Sequence, residues 1–455
     1  MIRFNRTCLT LSLWVTLAFG VWALVAPNHA AAGPTGGLQF IDITNPFLKK
    51  IPLAIPVFAT MPEDGASSQQ GLECTTIMSE ALEFTSYFKI LDRAAFLVNP
   101  GQAGVTASQI NFSNWTAIGA ELLITGAMVL KDDQVEMEFR LFDTFKAQMA
   151  VGKRYRGPLS QRRQMILRFC GEVVYYLTGS RGIFDSEIAF VSTTGKGNSE
   201  IFICEFDGYN PQAFTATGNI TLTPAWSGDG QWLAYVGYTK TGPNLYMKHR
   251  HDKKVSVFDQ RGTKMSPAWV PGRFELTASL SLNDIPQIYL LTGDGKMIKR
   301  LTDTTGIDVT PAWSPDGKQM AFVSTRAGSP QIYVLETDSG QVRRLTFQGQ
   351  YNQEPCWSPK GDRIAYTGML KGGRLNIYVT DVNGERTAQL THDEGDNESP
   401  YWSPDGSLIV FSSTREGPSR IYVMTASGMD QRRLLSLPGE QKTPSWSPSR
   451  PNTSD

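Results

Sequence analysis

Two histidines and a run of carboxylates come nearest to a reactive constellation in this chain of 455 residues. His249-Arg250-His251 would place both imidazoles on one face of a strand, as metal ligands do, yet nothing nearby supplies a third ligand. His29 and His392 are far from that pair in the sequence. Asp393-Glu394-Gly395-Asp396-Asn397-Glu398 is rich in oxygen ligands, but its spacing is not that of an EF-hand, so a solvated loop and a partner-facing patch stand ahead of a calcium site. Acyl transfer would need a nucleophile such as the Gly-x-Ser-x-Gly elbow, and nucleotide chemistry a Gly-rich loop between strand and helix; the chain has neither. Cys74 and Cys170 fall on two expected helices and could pair, while Cys204 and Cys356 fall in separate repeats. Free buried thiols are the alternative for all four, and no Cys-x-x-Cys occurs. The reactive residues therefore argue for no catalytic centre, no metal and no cofactor.

What the chain repeats is more informative. Tryptophans that follow a Pro-x step stand at Trp226, Trp269, Trp313, Trp357, Trp402 and Trp446, at spacings of 43, 44, 44, 45 and 44. A period in that range marks a propeller or a solenoid. The clearest copy is Pro311-Ala312-Trp313-Ser314-Pro315-Asp316-Gly317, in which Pro315 presets φ, Asp316 can bond its own backbone and Gly317 accepts a positive φ. Strands follow at Met320 to Val323, Gln331 to Leu335 and Arg343 to Thr346, separated by Gly328-Ser329-Pro330 and Asp338-Ser339-Gly340. Four short strands per unit make a propeller blade.

The phase of the repeat sets the blade count. Second strands occur at 188–191, 233–236, 275–278, 320–323, 364–367 and 409–412, whereas the tryptophan series begins later and ends at Trp446 with no second strand after it. The chain thus enters and leaves in mid-blade, and Pro444-Ser445-Trp446-Ser447 is expected to supply the missing first strand of the blade that starts at Ile188. Six blades and a closed ring without raw sheet edges follow.

With 43 basic and 43 acidic residues, no field favours nucleic acid. Residues 1–32 read as a secretion signal: Arg3 and Arg6, an apolar run from Leu9 to Ala26, and a small-residue cleavage site at Ala30-Ala31-Ala32. An uncleaved membrane anchor is the alternative. No other stretch could span a bilayer, so the mature chain is expected to be soluble, without direct membrane insertion, in an oxidising compartment such as the periplasm. Residues 33–44 form a flexible segment in which Leu38, Gln39, Phe40, Ile41, Asp42 and Ile43 alternate, as a partner-binding strand or an ordinary edge strand would. Residues 45–180 read as strand, helix, strand, helix, three strands and a final helix ending at Thr178-Gly179: a mixed sheet backed by helices. Ser180-Arg181-Gly182 is a short link to the propeller, 183–450, and it favours a fixed or hinge-mobile relation.

An exported α/β domain carrying Phe40-Ile41-Asp42-Ile43-Thr44, Ile55-Pro56-Val57-Phe58, Lys89-Ile90-Leu91-Asp92-Arg93 and Leu177-Thr178-Gly179, followed by six such blades, resembles the TolB family of the Tol-Pal cell-envelope system. That resemblance covers essentially the whole mature chain. It implies a non-enzymatic periplasmic adaptor that binds the peptidoglycan-associated lipoprotein Pal at one propeller face and the inner-membrane protein TolA through its mature N-terminus, with other outer-membrane proteins as further partners. Such an adaptor supports outer-membrane integrity and constriction during cell division. On the family pattern the Pal contacts are Thr263, Ser266, Val309 and Thr310, and loops 348–354 and 393–399 add Glu354 and Ser399 to the rim. The family often has a histidine where this chain has Thr263. Leu38 to Ile43 is the corresponding TolA segment.

The residues also support a binding rim without the family, because blades present equivalent loops around a common channel. The recurring Pro and Trp suit blade packing better than partner contact. Prolyl-oligopeptidase-type enzymes share the Ser-Pro-Asp-Gly repeat, but only nine residues follow Trp446, too few for a hydrolase domain. The alternative function is an exported propeller that holds a small molecule or sugar, or acts as a lyase, in its channel.

Overall fold

A computed structural model describes residues 49–61, 65–98, 103–195, 197–282, 284–370, 373–392 and 394–449; the expected signal 1–32 and the segment Leu38 to Ile43 lie outside them. Ile51–Ala54 (β1) and Ala59–Met61 (β2) lead into helix Gly65–Phe84 (α1), which returns the chain to Phe88–Ile90 (β3). The apolar run read as one strand from Ile51 to Phe58 is interrupted after Ala54, where Ile55-Pro56 leaves the ladder and β2 pairs separately with a later strand. After the six-residue helix Phe112–Ala117 (α2) come Leu122–Lys131 (β4), Gln134–Asp143 (β5) and Gln148–Pro158 (β6).

The sheet order is β3-β1-β4-β5-β6, with β2 also on β4; pairings among β1 to β4 are parallel and the last two antiparallel. One face buries Leu53, Ile124 and Phe139 under Met78 and Leu82 of α1 and Ile166, Phe169 and Val173 of helix Arg162–Thr178 (α3). The other face buries Ala54, Leu123 and Phe142 with Trp115 of α2. Helix α3 stops at Gly179, whose φ of 74° lets its N–H reach the Tyr175 carbonyl at 2.9 Å.

The rest of the chain forms six antiparallel four-stranded sheets. Blade 1 takes its inner strand, Gln441–Trp446, from the C-terminal end and its other strands, beginning with Glu187–Gly195, from the start of the propeller. Ser445 faces Ala189 and Trp446 faces Ile188, the closure expected from the repeat phase. Blades 2 to 6 begin with inner strands Thr221–Trp226, Thr263–Trp269, Asp308–Trp313, Tyr351–Trp357 and Asn397–Trp402. In the turn after Trp313, Asp316 Oδ1 accepts bonds from the Ser314 hydroxyl (2.6 Å) and the Lys318 N–H (3.1 Å), and Gly317 has a φ of 68°. These bonds hold Asp316 below the ordinary carboxylate pKa.

The tryptophan row joins neighbouring blades. Indole N–H groups of Trp226, Trp269 and Trp402 donate to the inner-strand carbonyls of Ser445, Ala225 and Cys356 in the preceding blade, at 3.2, 3.1 and 3.1 Å. Trp313 uses the Thr277 hydroxyl at 3.0 Å and Trp446 the Ser186 hydroxyl at 2.8 Å. The indoles of Trp226, Trp269, Trp313 and Trp402 therefore supply apolar area and a specific bond across the seam.

The α/β sheet and the propeller share one apolar cluster, running from Phe139 and Phe169 through Phe184 and Phe206 to Val410 and Trp446. Phe206 takes Phe84 and Phe184 edge-on, each at 5.4 Å. Around it, Arg163 binds Glu205 (2.8 Å) and Asp207 (2.6 Å), Lys50 binds Asp430 (2.6 Å), and Arg432 stacks on Phe84 while donating to its carbonyl. Breaking this junction would expose the cluster to water. The four cysteines among the described residues are free and buried; burial raises every one of these thiol pKa values, to about 11 at Cys74, and Cys74 and Cys170 are not bonded to each other.

The Trp357 indole N–H is buried without a partner among the described residues, whereas that of Trp402 bonds Cys356. Trp402→Phe should therefore cost about 1 kcal/mol more than Trp357→Phe, because only the former removes a buried hydrogen bond. Denaturant unfolding of the two variants measures the difference, and equal losses would remove the bond from the account.

Candidate binding site at the channel mouth

Each inner strand runs from a loop at one end of the propeller to its tryptophan at the other. The turns that touch the α/β domain, at Glu205 to Asp207, Asp405 and Asp430, all lie at the tryptophan end. The loops entering the inner strands lie at the opposite end and leave that rim uncovered by the domain.

Six residues stand at equivalent places below this rim, each immediately before the inner-strand proline. Thr223, Ser266, Thr310, Glu354, Ser399 and Thr443 have φ values of 50, 48, 51, 53, 54 and 46°. Proline normally pushes its predecessor into extended geometry, and left-handed backbone at a β-branched residue costs about 1 to 2 kcal/mol. Each inner strand shifts register at this point against its neighbour. A bulge re-aims the side chain it carries, and here all six line a cavity of about 420 Å³ with the prolines and tryptophans.

Neighbouring blades hold three of these residues in place. The Thr310 N–H donates to Ser279 Oγ at 3.2 Å, the Thr443 N–H to Ser412 Oγ at 3.0 Å, and the Ser399 N–H to Thr367 Oγ1 at 3.0 Å and Glu354 Oε2 at 2.8 Å. The Thr367 hydroxyl also donates to Glu354 Oε2, at 2.9 Å. Glu354 thus bridges blades 5 and 6. Its pKa is raised, because desolvation by the surrounding protein outweighs those bonds to its charged form. The Thr223, Thr310 and Thr443 hydroxyls find no partner among the described residues.

Of the residues expected at the rim, Ser266, Thr310, Glu354 and Ser399 are brought together in the channel wall. Thr263 is exposed at the start of its strand, opposite Ser281, and Val309 is half-buried opposite Val323. Around them the rim exposes Ile220, Tyr238, Ile285, Ile307, Leu370 and, at 70%, Phe347. The acidic loop is not simply solvated: Glu394 binds Arg415 at 2.7 Å and Asp396 Oδ1 accepts from the Leu375 N–H at 3.2 Å. Glu398 is raised in pKa by burial and then by Glu354 and Asp396. His249 packs edge-on against Trp232 at 5.0 Å and faces Asp252 at 3.4 Å; among the described residues no group of three metal-ligating side chains occurs. Nor, among them, is any helix long and apolar enough to cross a membrane.

Sequence reasoning passed over Thr223 and Thr443, which complete the ring, and the hydroxyls of Ser279, Thr367 and Ser412, which brace it. A signal for the ring was present: the residue before each of the six prolines is Thr, Ser or Glu.

Comparison with known proteins places these features in a family. Residues 174–450 match the family model described as the TolB beta propeller domain, and residues 39–150 match that of the TolB amino-terminal domain. The chain is 61% identical over 415 residues to the Tol-Pal system protein TolB of Desulfosudis oleivorans, covering 90% of this chain and 93% of that one. It is 39% identical over 395 residues to a TolB homolog of Chlorobium luteolum, covering 87% and 90%. The crystal structure of TolB from Acinetobacter baumannii superposes with a TM-score of 0.77 at 27% identity, covering 88% of this chain and 97% of that one.

The raised pKa of Glu354 has a definite sign for stability. A folded value above the unfolded one stabilises the fold fully below the ordinary carboxylate pKa, and that contribution is lost as pH rises through the folded value. Relative to Glu354→Gln, the native chain should lose melting temperature as pH rises above the ordinary carboxylate range. Parallel melting curves over that rise in pH would mean the carboxylate is as well solvated folded as unfolded.

Proposed function

Because this chain belongs to the TolB family of the Tol-Pal system, we propose that it is a non-enzymatic periplasmic adaptor that binds Pal at the channel mouth and TolA through residues 33–44. In this reading the signal 1–32 is removed near Ala32 on export, and the mature chain supports outer-membrane integrity and constriction at division. The observation that carries it is the rim itself: exposed apolar side chains crowd the face turned away from the α/β domain, above a ring of polar residues placed midway along the inner strands. Exposed apolar residues framed by polar groups suit a protein partner better than solvent. Thr263, Ser266, Val309, Thr310, Glu354 and Ser399 supply the Pal contacts, and Leu38, Gln39, Phe40, Ile41, Asp42 and Ile43 the TolA strand. Domain bounds of 45–180 and 183–450 serve the same division of labour. A second reading, a small molecule or sugar in the channel, draws on the 420 Å³ cavity and its three unpartnered threonine hydroxyls.

Thr310→Arg puts a long cation into the channel mouth and should weaken Pal binding about tenfold or more, since centrally placed contacts dominate interfaces. Capture from a cross-linked envelope fraction by the mature native chain and by this variant checks it. Recovery of a peptidoglycan-bound lipoprotein by the native chain alone supports the rim; recovery by neither turns attention to small ligands in the channel.

Deletion of residues 33–43 should abolish TolA binding and change Pal affinity about fivefold or more, a coupling of roughly 1 kcal/mol. Titration calorimetry with each partner measures both, and unchanged affinities would sink the role of the segment.

A further inference from the structure

The edge strand β6 and helix α3 border a cleft of about 220 Å³ on the α/β domain, well away from the channel. Its charged and amide lining is Arg154, Arg156, Arg168, Gln161 and Gln164, completed by the more buried Tyr155 and Met165. Most other cations of this strand and helix are compensated. Lys153 faces Glu172 at 3.4 Å, Arg162 faces Glu73 at 3.4 Å, Arg163 binds Glu205 and Asp207, and Arg181 binds Glu172 at 3.2 Å. Arg154 shares Glu136 and Glu138, both at 3.5 Å. Arg156 and Arg168, in contrast, have no ion pair or hydrogen bond for their guanidinium groups among the described residues, and neither do the amides of Gln161 and Gln164.

Charges on an edge strand prevent pairing with another sheet, which accounts for Lys153 and Arg154. That purpose does not require the helix to bring Arg168 to the same concavity without a carboxylate. Two uncompensated guanidinium groups in one cleft repel each other unless an anion joins them. We propose that this cleft binds a phosphate-bearing anion, taken either free or as the headgroup of an anionic lipid. The planar guanidinium fork matches two phosphate oxygens, and the glutamine amides can donate to the others. The lining arginines are exposed, so binding should weaken as salt rises.

The test uses the mature chain at about 50 mM salt, where the Debye length is longer than in the cell. Inorganic pyrophosphate is titrated calorimetrically, and sedimentation with phosphatidylglycerol-containing vesicles is compared with phosphatidylcholine alone. If pyrophosphate binds and the Arg156→Gln/Arg168→Gln variant binds it about tenfold more weakly, a loss of about 1.4 kcal/mol, the source is a soluble phosphate compound. Selective retention on the anionic vesicles alone, lost in the same variant, assigns a lipid headgroup. Lys299→Gln, an exposed charge on blade 3, should change neither result. Arg156→Lys/Arg168→Lys keeps the charge without the fork and should fall between native and Gln variant, which also guards against loss by misfolding. The inference is overturned if the native chain binds neither probe, or if the Gln variant binds no more weakly than Lys299→Gln.

Discussion

Six sheets set around an axis have two raw edges until Gln441–Trp446 pairs with Glu187–Gly195. The Trp446 indole meets the Ser186 hydroxyl across 260 residues of chain. Closing a loop of that length costs on the order of 5 kcal/mol in chain entropy. The return comes from the ladder, the burial of Trp446 and Ile188, and the apolar cluster they share with Phe169 and Phe206 of the domain junction. Ring closure and domain docking are consequently one packing event, since the strand that closes the ring also forms part of the floor on which the α/β domain rests.

A closed ring also explains how six strained residues persist. Left-handed backbone before proline would relax if the inner strands could slide, and the seams prevent that. Toward the rim, Gln287, Gln331 and Asn376 accept bonds from Thr302, Thr346 and Thr391 at 3.0, 2.8 and 2.9 Å. Those threonines in turn accept the N–H groups of Ile288, Ile332 and Ile377. Toward the other end the indoles of Trp226, Trp269, Trp313 and Trp402 bond across the seams. Strain held between two belts persists because both ends of the inner strands are tied, and the channel wall keeps one shape.

The ring architecture was legible because its signal is periodic: the six Pro-x-Trp steps, the offset of the second strands and the final orphan strand together gave blade count and closure. The helices of the α/β domain were legible from length and from the Thr178-Gly179 stop, whereas the break after Ala54 was not, since Ile55 and Phe58 continue the apolar pattern although they leave the ladder. In the channel wall, Ser266 and Thr310 were legible from the family pattern and Glu354 and Ser399 from repeat geometry. The left-handed backbone of Thr310, Ser399 and Thr443 was not, because the hydroxyls that hold it, those of Ser279, Thr367 and Ser412, lie 31 or 32 residues away. The acidic loop misled for a related reason. Its carboxylates look solvated in sequence, and their partners Arg415 and Leu375 come from flanking strands and turns that only the folded blades bring near.

The structure also limits how one end of the molecule can influence the other. Lys50, where the described chain begins to pack, is held by Asp430 at an outer turn of blade 6, and Arg432 beside it clasps Phe84. The inner strand of the same blade carries Ser399, whose N–H rests on Glu354 of blade 5. A change in how Lys50 is held would therefore be carried to the channel ring by blade 6, as a tilt of one packed sheet against its neighbours. A coupling of about 1 to 3 kcal/mol is the size of one or two seam hydrogen bonds remade. Blade 6 is the place to look for that tilt because it touches both the domain junction and the one buried carboxylate in the channel ring.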